Sequence, residues 1–172
     1  MPTDLALLRA SRGEDLEALR AFVDRCSAET LYRRFHGAAR RAMERELQRI
    51  ASPGESHRSW VLVTGGEVRG TATLARSRSG AFEMALLVED AWFRRGVGRA
   101  LVGELRADAR RRGVDWVVAW VQAENERALR FFRSVAPGAK VRFAGGAELE
   151  VRVPVAEADG RGPRSDRAQE AA

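Results

Sequence analysis

Gly96 and Gly98 stand where an apolar run ending near Val88 gives way to a segment that repeats Val97, Leu101, Leu105 and Ala109 every four residues. A strand that hands over to a helix through glycines suits one kind of chemistry. The first turn of a helix carries backbone N–H groups without intrahelical partners, and the macrodipole adds partial positive charge there. Glycine lets a large anion, such as a diphosphate, approach that backbone closely. Arg94, Arg95 and Arg99 flank the glycines and would add charge-assisted contacts. The segment has Leu101 where GxGxxG needs its third glycine, and it lacks the Gly-Lys-Ser/Thr ending of a P-loop. A packing role, with glycines bringing helix and strand close, explains the pair equally well.

Glu83 is the second candidate. It lies in FEMALLV, where strand alternation puts Glu83, Ala85 and Leu87 on one face and Met84, Leu86 and Val88 on the other. A carboxylate among apolar neighbours is the type of group that serves as a general base near neutral pH, directly or through a water. The competing reading is a strand carboxylate that faces solvent or pairs with an arginine. His36 and His57 are titratable near neutrality, but no complementary Ser, Asp or Cys pattern accompanies either. Cys26 reads as a small buried thiol, because nothing around it is activating. Trp92, Trp116 and Trp120 read as core or loop-anchoring aromatics.

The elements that would position these groups follow from periodicity. Residues 4–10 predict a short strand, and Ser11 three residues before Glu14 has capping-box spacing for a helix carrying Leu16, Leu19, Phe22 and Val23. Ser27 opens a second helix with Leu31, Tyr32 and Phe35, which Gly37 ends. A third carries Met43, Leu47 and Ile50 on one face. Three strands then meander, turned at Gly65-Gly66 and Ser79-Gly80, the third from about Ala81 to Val88. The glycine-flanked helix follows and ends at Arg110–Arg112 before Gly113. Residues 114–121 predict a buried strand, residues 125–134 a short helix, and Val141–Phe143 and Glu148–Val153 two last strands turned at Gly145-Gly146.

The 172 residues suit a single domain, assigned to residues 1–155, with a disordered, polar tail at 156–172. Hydrophobic residues at 45% are enough for a core, and no run approaches the length that spans a bilayer. The first residues lack a basic segment followed by an apolar one, so a cytoplasmic protein without a secretory leader is expected. One cysteine excludes an internal disulfide or a cysteine-built zinc site, and no metal is expected. The 30 basic residues, all arginine except Lys140, exceed the 24 acidic ones by six, which favours anionic ligands. Nucleic-acid binding by the arginine-rich helices around residues 33–49 is a weaker reading, since interleaved aromatics and zinc or KH-type motifs are missing. A membrane partner is not expected.

The order of these elements resembles the GCN5-related N-acetyltransferase (GNAT) family. The family loop Gln/Arg-x-x-Gly-x-Gly/Ala matches at Phe93, Gly96 and Gly98, with Phe93 departing from the usual polar residue. SAETLYRRFHG and FEMALLVEDAWFRRGVGRAL look most like the catalytic domain of bacterial protein-lysine acetyltransferases. The resemblance covers roughly residues 4–153. It implies an α/β fold of the α+β kind: a mixed, mostly antiparallel sheet of six to seven strands flanked by helices, with the fourth and fifth strands splayed. It also implies an acetyl-CoA-dependent acyltransferase acting on a primary amine, of a protein lysine or a small molecule, by direct attack in a ternary complex. Glu83 would be the base. Leu87 and Val88 would hold the pantetheine arm through their main chain, and Phe93, Arg94, Arg95, Gly96, Val97, Gly98 and Arg99 would form the diphosphate loop. Asn125 matches the family asparagine that contacts pantetheine, and it also reads as a helix N-cap. The tyrosine that protonates the leaving thiolate in many members is replaced by Phe132; water or Ser134 are the remaining candidates. Phe93 and Phe132 keep a second reading open, a non-catalytic acyl-CoA-binding regulatory module.

Overall fold

The computed structural model describes residues 6–35, 37 and 40–156. His36 and the expected tail from residue 157 on lie outside them. The strands are β1 (Leu7–Ala10), β2 (His57–Thr64), β3 (Glu67–Arg76), β4 (Phe82–Val88), β5 (Trp116–Gln122), β6 (Lys140–Gly145) and β7 (Glu148–Pro154). They form one sheet in the order β1-β2-β3-β4-β5-β7-β6. The helices are α1 (Leu16–Arg25), α2 (Ala28–Phe35), α3 (Arg40–Ala51), α4 (Val97–Arg111) and α5 (Glu126–Val135). Among the described residues no helix is long and apolar enough to cross a membrane.

Every strand pairing is antiparallel except that of β4 with β5. The sheet is therefore mixed and mostly antiparallel, as the resemblance implied. Gly65 (φ 61°) and Gly66 (φ 77°) make the β2–β3 turn, where both central residues need left-handed backbone. Alternation along each strand sends side chains into two cores. Trp60, Leu62, Ala72, Leu74, Met84, Val117, Val151 and Val153 meet Val97, Leu101 and Leu105 of α4 on one face. Val61, Val68 and Leu87 meet Leu19 and Phe22 of α1 and Leu47 and Ile50 of α3 on the other. Leu101 and Leu105 are fully buried, so truncating either to alanine would cost about 2–5 kcal/mol.

Two expectations need correction. Ser11 does not cap α1: it is buried, and its hydroxyl donates to the carbonyl oxygens of Ile50 (2.5 Å) and Ser59 (3.1 Å). A 3-10 turn at Gly13–Asp15 precedes the helix, and Asp15 accepts the Arg12 N–H at 2.7 Å. A serine with capping spacing has instead become a polar staple between α3 and β2. Trp120 is not core either. It is 42% exposed and lines a cleft, because β5 turns Val117, Ala119 and Val121 toward α4 and presents Trp120 on the opposite face.

Candidate active site

The cleft starts where the sheet fails to close. β4 and β5 are in register at one pair, Glu83 with Val118, and they part beyond it. A cleft of about 1760 Å³ runs through this opening and is lined on both faces of the sheet. The Glu89 N–H donates to the Arg69 carbonyl on β3 at 3.0 Å. By alternation the Leu87 main chain also turns toward β3, while the polar groups of Val88 and Leu86 turn toward the gap. An extended ligand with amides could pair with Val88 and Leu86 as a strand would.

On the α4 face the cleft meets the glycine turn. Arg94 (φ 59°) and Gly96 (φ 85°) are both left-handed and flank Arg95, an alternation that curls successive N–H groups toward one side and makes an anion cradle. Ala100 donates the first helical bond, to the Gly96 carbonyl at 3.0 Å, so the N–H groups of Val97, Gly98 and Arg99 precede it without helical partners. A Cβ on Gly96 would meet nothing within 4 Å, which leaves the approach to this backbone open. Gly98 is different: a Cβ there would lie 3.0 Å from the Phe131 ring of α5. Its small size lets α5 pack, so the packing role does hold for one of the two glycines.

Phe93, Arg94, Gly96, Gly98, Arg99 and Asn125 all line the cleft, as do Leu87 and Val88. Arg95 and Val97 do not. Arg95 stacks on Trp92 at 5.2 Å, and Val97 is buried under the turn, 4% exposed. Asn125 accepts the Ala128 N–H at 3.1 Å, so it caps α5 and faces the cleft at once. Arg127, which sequence reasoning missed, reaches from α5 across to the loop and lies 4.2 Å over the Phe93 ring. It has no carboxylate partner among the described residues. The only sequence signal for it is its place in the first turn of a helix that starts beside the cleft. Phe132 is buried, and the Ser134 hydroxyl donates to the Phe131 carbonyl at 2.8 Å.

The opposite face holds Glu83. It is half-buried, shares a face with Thr73, Ala75 and Ala85, and has no hydrogen bond or ion pair among the described residues. The wall above it comes from α2 and α3. Arg34 and Arg49 both bind the Glu46 carboxylate, at 3.1 Å and 2.9 Å. Burial pulls the Arg34 guanidinium below its ordinary value despite Glu46 beside it. His57 sits away from this wall's open side, with Nε2 2.9 Å from the Arg49 carbonyl oxygen.

Asp90, just past β4, joins the two halves of the cleft. Its carboxylate accepts the Ser27 N–H (2.8 Å), the Ser27 hydroxyl (2.7 Å) and the Thr30 hydroxyl (2.8 Å), which caps α2 from outside the helix. Burial raises its proton affinity, yet these three donors win and hold it below the ordinary carboxylate value. Beside it, buried Glu89 accepts from Arg25 and Arg69, each at 3.0 Å, tying α1 to β3.

The acetyltransferase (GNAT) family model matches residues 16–136. Among solved structures, the GNAT domain of S. lividans PAT superposes with a TM-score of 0.75 at 24% identity, covering 87% of this chain and 90% of that one. The PaiA N-acetyltransferase of Thermoplasma acidophilum, solved in complex with coenzyme A, gives 0.66 at 14% identity, covering 87% and 99%. The ribosomal-protein-S18-alanine N-acetyltransferase of Escherichia coli gives 0.66 at 18%, covering 93% and 100%. No curated protein matches the chain.

Proposed function

Since the chain belongs to the acetyltransferase (GNAT) family, whose members use acetyl-CoA and an amine acceptor, we propose that it is an N-acetyltransferase moving the acetyl group of acetyl-CoA to a primary amine by direct attack. The observation that carries this is the cleft through the β4–β5 opening. It has an open anion cradle on one face and, on the other, a half-buried carboxylate without a partner among the described residues.

The residues fit the co-substrate. The N–H groups in the first turn of α4, with Arg94, Arg99 and Arg127, suit a diphosphate. Val88 and Leu86 present main-chain groups to a pantetheine arm, and an N–H in this gap would stabilise the negative charge that develops on the acyl carbonyl oxygen. Glu83, on the acceptor side, takes the proton that the attacking amine loses, directly or through a water. Phe132 offers no proton to the leaving thiolate. A thiol with a pKa of about 8.5 departs without one.

The test is release of free thiol from acetyl-CoA with a panel of amines. Glu83→Gln should lower kcat by about 10²–10³-fold while leaving affinity for CoA within about twofold. Buried Phe132 favours the second reading, a binding module without turnover. That reading requires tight CoA binding, no thiol release with any amine, and indifference to Glu83→Gln. Absence of both turnover and CoA binding would refute the two together.

A further inference from the structure

The acceptor half of the cleft is electrically lopsided. Its floor is the sheet, which carries the Glu83 carboxylate, with Glu148 of β7 beyond Trp120. Its wall is α2 and α3, which carry Arg33, Arg34 and Arg49. Arg33 is answered at 2.7 Å by Glu29, an exposed residue on the same helix. Among the described residues Arg34 and Arg49 share the single Glu46, with the Arg34 side chain 19% and the Arg49 side chain 39% exposed, so the set carries one surplus positive charge. Helix α2 packs against β4, so wall and floor face one another across the same space.

Resting on the acetyltransferase reading, we infer that the acceptor is an amine carrying a nearby carboxylate. Its ammonium is drawn to Glu83 on the floor and its carboxylate to the Arg34–Arg49 pair on the wall. A guanidinium whose carboxylate is shared keeps N–H donors for a second anion, and arginine's planar fork suits a carboxylate. Polycations suit this space less, because charge beyond what the floor carboxylates take would approach the arginine wall. The same chemistry can come from a free amino acid or from a lysine next to an acidic side chain in a peptide.

Both sources are tested by thiol release from acetyl-CoA. One arm compares free amino acids with their carboxamides. The other compares lysine peptides with Glu or Gln beside the lysine. At least one arm should show a tenfold or greater preference in kcat/KM for the acidic member, and the arm that shows it identifies the source. Arg49→Gln should bring that ratio down toward one. Glu46→Gln, which frees both guanidiniums, should widen it; two variants with opposite expected signs separate recognition from a general loss of folding. Ratios within twofold in both arms, or spermidine as the better acceptor, would overturn the inference and leave the acetyltransferase reading standing. No thiol release with any acceptor would remove both.

Discussion

Gly70 of β3 lies under the first turn of α4, and its missing side chain sets how close that turn comes to the sheet. A Cβ there would stand 2.7 Å from Val97 Cγ1, 2.9 Å from Leu101 Cδ1 and 3.2 Å from the Leu87 carbonyl oxygen. Ordinary contact begins near 3.4 Å, so in Gly70→Ala Val97 must retreat by about 0.7 Å or more. Leu101 is fully buried and Leu87 O belongs to the sheet, so the helix N-terminus has to move. Overpacking of this kind costs about 1–3 kcal/mol, less the ~0.5–1 kcal/mol that alanine returns by stiffening the unfolded chain. At about 2–4 °C per kcal/mol, Tm should fall by several degrees. The same displacement carries the Val97, Gly98 and Arg99 N–H groups off the cradle, so affinity for CoA should fall about tenfold, a sign that the turn had been held in place for its ligand. Scanning calorimetry and CoA titration on one preparation check both effects. An alanine variant with unchanged Tm and unchanged CoA affinity would refute the claim that Gly70 positions the cradle.

Other outcomes follow from other sites. Arg127→Met should weaken CoA binding about fivefold to tenfold by titration, and added salt should shrink the difference. Asp15 lies below the ordinary carboxylate value of 3.8 because Arg9 donates to it, and Asp90 does so because the Ser27 and Thr30 donors outweigh its burial. Folded protein therefore holds these protons less tightly than unfolded chain. The stability they contribute is complete above the ordinary value and is lost as pH falls through the depressed one, so Tm should drop below about pH 4, and less steeply in Asp90→Asn. Burial pushes the Cys26 thiol up to about 12, with the Asp90 and Glu89 carboxylates adding to it. A thiol reagent at pH 8 should leave native protein unlabelled and label it fully in denaturant.

The elements were legible wherever one segment carried its own signal. Val97, Leu101, Leu105 and Ala109 fall on one buried stripe of α4, and the paired glycines sit at the turns where left-handed backbone is needed. Local spacing misled at Ser11, where burial against Ile50 and Ser59 outweighed a capping position. At Trp120 the face that β5 turns outward was hidden, because it depends on which side α4 covers. The cradle could be read because strand, glycines and helix are contiguous. Arg127 over Phe93, the Arg34–Glu46–Arg49 set and the Asp90 bonds to Ser27 and Thr30 could not. Each joins residues on different elements, and no period in the chain encodes which surfaces a fold will bring face to face.

The bonds from Asp90 have one more effect. They pin the first turn of α2 to the end of the strand that borders the β4–β5 opening. The helix is thus moored to the sheet at its N-terminal turn, through Ser27 and Thr30. Its other end, with Arg34 and Phe35 seven and eight residues beyond Ser27, forms part of the cleft rim and is held to α3 by the Arg34–Glu46 pair. Substitutions at that distal end can therefore alter the cleft rim without touching the bonds that moor the helix.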